Sequence, residues 1–189
     1  TFLRLDTERP YERVWLYAFD MRRLGLGYVA GTREPMSMTG LRGDGRLPRR
    51  LRKNVVALLS GGMKTIYRPG GRVVNGRTLV KPREGLGTIA LQADGKPAFG
   101  LWDAAKLEPP WVTMVQNLSP LVLRGVVNAN ATNRWGQSVA DLDTQHVART
   151  GMGVTEAGVV IFGWSKSTSA LQLGEAFRRA GADFALHLG

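Results

Sequence analysis

Cysteine is absent from the 189 residues of the chain, and histidine occurs only at His146 and His187. The lack of cysteine excludes disulfides, thiolate nucleophiles and cysteine-based zinc sites. The two histidines do not form an H-x-x-x-H pair, so we do not expect a histidine-based metal site. The sequence therefore predicts no cofactor.

Long apolar runs are also absent. No stretch approaches the roughly 20 apolar residues that cross a bilayer, and a transmembrane segment is not predicted. The first residues, TFLRLDTERP, lack the charged and apolar regions of a signal peptide. The chain starts without Met, so this absence does not assign a compartment.

Acidic residues are scarce relative to basic ones, with 15 against 26, and the net charge is +11. The electrostatic field of a net positive charge attracts polyanions, although solvated surface arginines without a binding role give the same excess of basic residues. The most basic segment, Arg42 to Lys53, contains Gly and Pro and no interleaved aromatic residue. We expect a solvated loop leading into a short helix there, and nucleic-acid binding is not favoured.

Alternating apolar residues predict a protein rich in β-strands. Residues 14–18 and 24–28 read as two strands joined around Asp20 to Arg23. Asn75-Gly76 and Asp94-Gly95 each separate two strand-like runs and predict tight hairpins. VVALLSGGMK, residues 55–64, reads as a buried strand that ends in two glycines.

The C-terminal third predicts strands around a single helix. Strand-like stretches occur at 121–127, 147–154, 159–164 and 184–188. Hydroxyl residues at 167–169 precede an amphipathic helix that Gly181 ends. We expect a right-handed strand–helix–strand crossover in one domain spanning 1–189. The predicted fold class is α+β, with mostly antiparallel strands in a mixed sheet and this C-terminal crossover.

Two short motifs resemble known functional loops, but the residues around them do not fit those loops. GRVVNGRT imitates a phosphate-binding loop but spans a hairpin, and GWSKS lacks the last glycine of a nucleophile elbow. Asp141 and Asp143 are either paired acids or two solvated carboxylates of a polar loop. Arg134 and Trp135, in NRWGQ, and Arg149, in ARTGMGV, remain as candidate binding residues.

The order of five segments carries a resemblance. They are VVALLSGGMK, GRTLVKPREGLGTIALQADGKPAFGLW, NRWGQ, ARTGMGVTEAGVVIFG and LGEAFRRAGADFALHLG. Together they resemble the phosphodiester glycosidase family, which includes the enzyme that uncovers mannose 6-phosphate and bacterial members linked to exopolysaccharide. The resemblance implies an extracellular or periplasmic hydrolase of sugar-1-phosphodiesters or related cell-surface glycans. The family has Asp where Gly189 stands, so the resemblance implies either that the chain is truncated here or that the acidic residue has been lost.

The resemblance assigns residues to a site. Ser60, Gly61 and Gly62 stand where the family has Asn-Gly-Gly, and the glycines would leave room for a sugar phosphodiester. Arg149 would bind the phosphate and Asp143 or Asp141 would be the acid or base, with no metal.

Each of these assignments has an alternative. Gly61-Gly62 also suits a bulge or tight turn, and Arg149 also suits an ion-paired or surface position. The alternative function is a catalytically degenerate domain that binds a glycan or polyanion through the same cleft and the basic segment at 42–53.

Overall fold

The computed structural model describes residues 1–103, 111–128 and 146–189, which form twelve β-strands, one α-helix and two 3-10 turns. The strands are β1 Phe2–Leu3, β2 Val14–Asp20, β3 Arg72–Val74, β4 Arg77–Val80, β5 Gly87–Gln92, β6 Pro97–Leu101, β7 Trp111–Gln116, β8 Val122–Leu123, β9 Val126–Val127, β10 Val147–Thr155, β11 Val159–Thr168 and β12 Ala182–His187. The helix α1 is Ala170–Arg179, and the 3-10 turns are Arg49–Asn54 and Thr65–Tyr67.

The strands form two sheets. The larger has the order β1-β2-β11-β10-β12-β8-β9, and the smaller has the order β4-β3-β7-β5-β6. Every pairing between the described strands is antiparallel. The predicted strand-rich architecture with a C-terminal helix is therefore confirmed at this level.

Helix α1 covers one face of the larger sheet. Leu173 and Phe177 are fully buried in a cluster with Leu16 and Ile161 of that sheet. The glycines at 151 and 163 make room for Phe177, because a Cβ at either position would stand 2.8 Å from its ring. The other face of the sheet carries Met152, Phe162 and Leu186, which pack with Ile89 and Leu91 of the smaller sheet. The layers are therefore helix, seven-stranded sheet and five-stranded sheet.

The ends of α1 follow the sequence prediction. Ser169 is the N-cap: its Oγ accepts from the backbone N–H of Gln172, whose side chain reaches back to form a capping box. Gly181 follows the helix with φ +81°, a conformation that favours glycine. The helix connects β11 to β12, which lie on either side of β10 and both pair with it antiparallel. The right-handed sense of this connection stays a prediction.

The Asn-Gly and Asp-Gly turns are confirmed. Asn75 and Gly76 have φ +49° and +76° between β3 and β4, as a type I′ turn requires. Gly95 has φ +84° between β5 and β6. The predicted strand at 147–154 is β10, and the stretch at 121–127 divides into the short β8 and β9 around a turn at Arg124-Gly125.

Two strand predictions are wrong. Residues 24–28 do not pair with β2, which pairs with β11 along Trp15 to Asp20 and with β1 only at Val14 and Trp15. They are held instead by a hydrogen bond from the Leu26 N–H to the Gly95 carbonyl, and Leu26 packs against the core between the sheets. Residues 55–59 are not a buried strand either: Val56 and Leu58 are 69% and 80% exposed. This apolar run packs through one side only and takes part in neither sheet.

The basic segment at 42–53 is a loop that leads into the 3-10 turn Arg49–Asn54, as predicted, and no residue of that turn is buried. No helix of the described residues has the length and apolar character needed to cross a membrane.

Candidate functional site

The segment Ser60 to Gly62 lies where the two sheets adjoin. Ser60 is beside the last residue of the chain, since a Cβ on Gly189 would stand 3.3 Å from the Ser60 Oγ. Gly189 in turn extends β12 and accepts a 2.6 Å hydrogen bond from the Thr150 N–H of β10. Ser60 therefore borders the larger sheet, and the two glycines lead towards the smaller one.

Both glycines are required by close neighbours. A Cβ on Gly61 would stand 2.7 Å from the ring of Tyr28. Gly62 has φ +135°, and its Cβ would lie 2.6 Å from Arg72 Nη2 and 2.8 Å from Asn117 Nδ2. Gly61 is exposed and Gly62 half-buried, so bare backbone stands between solvent and two buried polar side chains.

Arg72 begins β3 and is only 2% exposed. Its Nη1 donates to the carbonyls of Gly71 and Gln116, and its Nη2 donates to Asn117 Oδ1 at 2.8 Å. Burial lowers the pKa of the Arg72 guanidinium, while Tyr28 and Glu34 act in the opposite direction.

Asn117 follows β7 and is fully buried. Its Oδ1 accepts from Arg72 Nη2 and from the Met63 N–H at 3.2 Å, which fixes the orientation of the amide. Among the described residues, its Nδ2 has no hydrogen-bond partner. This donor faces the position that a side chain of Gly62 would fill.

Gln116 holds the neighbouring backbone in place. Its Oε1 accepts from the N–H groups of Gly71 and Arg83 at 2.7 and 2.9 Å, and its Nε2 donates to the Arg83 carbonyl and the Thr88 Oγ1. Because Gln116 is fully buried and uses both ends of its amide, it fixes the loop that leads into β3.

Glu34 anchors the other side of the segment. Its Oε2 accepts from the Thr65 N–H at 3.0 Å and from the Thr65 hydroxyl at 2.7 Å. Burial opposes ionisation, yet the hydrogen bonds from Thr65 and Met36 hold the pKa of Glu34 below its ordinary value. This carboxylate is therefore ionised at neutral pH, and its hydrogen bonds from Thr65 hold the loop in place.

An apolar cavity of about 270 Å³ lies on the other side of Ser60. It is lined by Tyr17, Phe19, Ala57, Leu59, Phe162 and Trp164, and we name it the aromatic cavity. Tyr17 and Trp164 are 49% and 40% exposed, so the cavity opens to solvent. Of the apolar run 55–59, Ala57 and Leu59 border this cavity; Leu59 is half-buried and Ala57 is exposed.

The structure separates Arg149 from this segment. Gly151 contacts Phe177 of α1 and Met152 faces the smaller sheet, so the alternation of β10 directs Arg149 to the helix side. Arg149 is 6% exposed and its Nε donates to the Thr168 carbonyl at 2.9 Å. Burial lowers the pKa of this guanidinium. The role of Arg149 in phosphate binding stays a prediction. On the helix side of the larger sheet, its side chain does not adjoin Gly61-Gly62.

His187 shares the helix side with Arg149. It pairs with Gly151 across β10 and β12 and is fully buried. Burial, with a smaller contribution from Arg149, lowers the pKa of His187 to about 3. The imidazole is therefore neutral at physiological pH.

The remaining predicted site residues are Asp141, Asp143, Arg134 and Trp135, and all four lie outside the described residues. Sequence reasoning missed Arg72 and Asn117. Their signals were Gly70-Gly71 directly before a basic residue, and an apolar strand that ends in Gln116-Asn117. Neither pattern names a known motif, which is why the buried polar cluster had to be found in three dimensions.

A second polar cluster joins the N-terminal segment to α1. Ligand atoms of Asp6, Glu12 and His146 lie within 4.8 Å of one another. However, Arg9 Nη1 lies 2.6 and 2.8 Å from the two ring nitrogens of His146, and Gln172 Nε2 donates to Asp6. A guanidinium already occupies the place of a cation, so we interpret the cluster as a structural ion-pair network.

Comparison with known proteins gives a likeness of fold. No protein-family model and no curated protein matches the chain. A hypothetical protein from Synechocystis is 11% identical, with a TM-score of 0.54 over 93% of this chain and 51% of that one. The catalytic domain of zebrafish N-acetylglucosamine-1-phosphodiester alpha-N-acetylglucosaminidase, auto-inhibited by its pro-peptide, is 17% identical, with a TM-score of 0.49 over 64% and 45% of the two chains. The chain thus spans about half the length of these solved structures.

Proposed function

We propose that this chain is a phosphodiester glycosidase-like domain that hydrolyses a sugar-1-phosphodiester or a related cell-surface glycan phosphodiester, outside the cytoplasm. The observation that carries the proposal is the position of Gly61-Gly62. Its bare backbone stands between the aromatic cavity and the buried Arg72–Asn117 pair. The ordered motifs that resemble the family support the same assignment.

The two sides of the segment suit two parts of such a substrate. A phosphodiester carries one negative charge and oxygen acceptors, which match a guanidinium and an amide donor. A cavity of about 270 Å³ lined by aromatic and aliphatic side chains takes a ring or another apolar group. The substrate would lie along the segment 57–62, with its phosphate at Gly62.

The reaction breaks the bond between the anomeric carbon and the phosphate oxygen. Water adds its oxygen to the anomeric carbon, a base takes the water proton, and the phosphate leaves as a monoester. The leaving phosphate needs little protonation, so one carboxylate acting as base suffices. We assign that role to Asp143 or Asp141.

The test is turnover of a sugar-1-phosphodiester, followed by the change of the ³¹P resonance from diester to monoester. We expect turnover that falls about 10²-fold or more in Asp143→Asn or Asp141→Asn, because the general base is lost. Asp44→Asn, a change of the same chemistry in the exposed loop at 42–53, is the control and retains activity. Turnover that is equal in all three variants would refute the assignment of the base.

A catalytically degenerate binding domain is the second candidate. It is favoured by Glu34, which among the described residues is the carboxylate of this polar network and is already hydrogen-bonded to Thr65, and by the basic turn Arg49–Asn54, none of whose residues is buried. Absence of turnover with retained, salt-sensitive binding of a phosphorylated glycan would establish it. Absence of both would refute the two candidates together.

A further inference from the structure

Three aromatic side chains form a row across the edge of the larger sheet. The strand register places Phe2 of β1 opposite Trp15 of β2, and Trp15 opposite Trp164 of β11. Their neighbours Leu3 and Val14 pack into the cluster under α1, so the alternation of the strands directs the three rings to the other face. Phe2 and Trp164 are 37% and 40% exposed, and Trp15 is half-buried. We name these three residues the aromatic row.

The aromatic row leads to the segment proposed as the site. Thr150 of β10 pairs with Trp164 and continues the row on the same face. Its hydroxyl donates to the Gly189 carbonyl at 3.3 Å, and a Cβ on Gly189 would stand 3.4 Å from that hydroxyl and 3.3 Å from the Ser60 Oγ. The row of rings is therefore followed by two hydroxyl groups that border Gly61-Gly62.

A second row, of basic side chains, runs beside the first. Arg4, Arg13 and Lys166 each lie two residues along the chain from a member of the aromatic row, which places them on the same face. The guanidinium carbons of Arg13 and Arg4 lie 4.8 and 5.6 Å from the centre of the Phe2 ring. All three side chains are exposed, and within residues 1–103, 111–128 and 146–189 none of them forms an ion pair. We name them the basic row.

The two rows match the chemistry of an acidic polysaccharide. The apolar faces of pyranose rings pack on aromatic side chains, and the acidic groups of such a chain bind arginine and lysine. Neighbouring strands lie about 4.8 Å apart, which is close to the length of one pyranose residue. A chain that crosses the strands therefore brings successive sugar rings to successive members of the aromatic row.

A single nucleic-acid strand also combines rings with negative charge. Its backbone step in an extended strand is longer than the spacing of the aromatic row. Beyond Trp164 the row continues with the hydroxyls of Thr150 and Ser60, which suit sugar hydroxyls better than bases. The surface therefore favours a saccharide.

We infer that the aromatic row and the basic row bind an acidic oligosaccharide chain of at least three sugar residues, whose end enters the segment Ser60 to Gly62. The inference rests on the proposed function for the reaction at that end. It names the substrate class as an acidic polysaccharide chain. The net charge of +11 favours the encounter with such a chain.

Binding is measured by ¹⁹F NMR on the full chain labelled with 5-fluorotryptophan. The probes are hexagalacturonate, its fully methyl-esterified neutral form, and a thymidylate hexanucleotide. The signals of Trp15 and Trp164 are identified by their absence in Trp15→Phe and Trp164→Phe. We expect both signals to shift and saturate with hexagalacturonate and to shift less with the ester, while those of Trp102 and Trp111, in or beside the smaller sheet, stay in place.

A pair of double variants tests the basic row. Arg13→Gln with Lys166→Gln removes two charges from it, and we expect the affinity for hexagalacturonate to fall about five- to tenfold at low salt. Arg77→Gln with Lys81→Gln removes the same two charges from exposed positions in and after β4, and should leave the affinity within about twofold of the native value. Equal losses in the two double variants would mean attraction by net charge alone and would overturn the inference.

Four other results would also overturn it. Trp15 and Trp164 signals that do not move would show that the rings take no part, and equal binding of the ester would show that the charges take none. Tighter binding of the thymidylate hexanucleotide would assign the face to a nucleic acid. Shifts that depend on protein concentration alone would assign it to a second copy of the chain.

Failure of this inference is distinct from failure of the proposed function. Hexagalacturonate binding at the aromatic row without turnover of any sugar-1-phosphodiester would retain the inference and remove the hydrolase. Turnover of a sugar-1-phosphodiester without any binding of hexagalacturonate would remove the inference and retain the hydrolase.

Discussion

Gly62→Ala is the substitution for which the structure gives the clearest expectation. A methyl group there would lie 2.6 Å from Arg72 Nη2, and 2.8 and 2.9 Å from Asn117 Nδ2 and Oδ1. Real Cβ atoms essentially never approach other atoms below 3.0 Å, so the two side chains would have to shift. Hydrogen bonds to Gly71, Gln116 and Met63 hold the side chains of Arg72 and Asn117 in place, so this shift would break hydrogen bonds.

Two terms add in this variant. Alanine at φ +135° is strained by about 1–3 kcal/mol. Overpacking a tight site adds about 1–3 kcal/mol. We therefore expect the free energy of unfolding to fall by about 2–6 kcal/mol.

Urea denaturation followed by tryptophan fluorescence measures this loss of stability, with m-values compared to check the two-state assumption. Gly27→Ala is the matched control: nothing lies within 4 Å of its Cβ and its φ is not positive, so the change should stay within about 0.5 kcal/mol. A Gly62→Ala protein as stable as the native chain would refute the packing around Arg72 and Asn117 described above.

Three further predictions concern the helix layer and the aromatic cavity. The pKa of His187 is about 3 in the folded chain and near 6.5 in the unfolded chain, so the unfolded state binds more protons between these pH values. The free energy of unfolding should therefore rise with pH across that window. In urea midpoints measured against pH, His187→Gln should flatten the rise above pH ~4.5. Ser169→Ala removes the capping box and should lower the free energy of unfolding by about 1 kcal/mol, with an unchanged melting curve arguing against the cap. Trp164→Ala should weaken binding of an aryl sugar-1-phosphodiester more than that of its methyl analogue in calorimetric titrations, and an equal loss for both would show that the cavity takes no part in recognition.

Local chemistry made several elements predictable. The turns at Asn75-Gly76 and Gly95 depend on positive φ values that glycine and asparagine tolerate, so a dipeptide is enough to indicate them. The helix is marked by a cap at Ser169 and by Gly181 after its end, and both signals act within a few residues. Such features do not depend on what lies elsewhere in the chain.

Elements that depend on an available partner were predicted less well. Residues 24–28 alternate as a strand does, but Leu26 donates to Gly95 of the β5–β6 turn and the segment does not pair with β2, and periodicity carries no information about which partner a segment takes. Residues 55–59 are apolar enough for a core strand, yet Val56 and Leu58 face solvent while Ala57 and Leu59 border the aromatic cavity.

By itself, the sequence determined the strand-rich class, the helix and its ends and the glycine hairpins, because propensity, capping and turn geometry act over short distances. It also predicted a site at Gly61-Gly62. Tertiary structure alone decided which side chains meet those glycines. Arg72 and Asn117 come from β3 and the end of β7, and they join Gly62 only because the smaller sheet pairs those two strands. The same principle separates Arg149 from them: the alternation of β10 and the packing of α1 direct this arginine to the opposite face of the larger sheet.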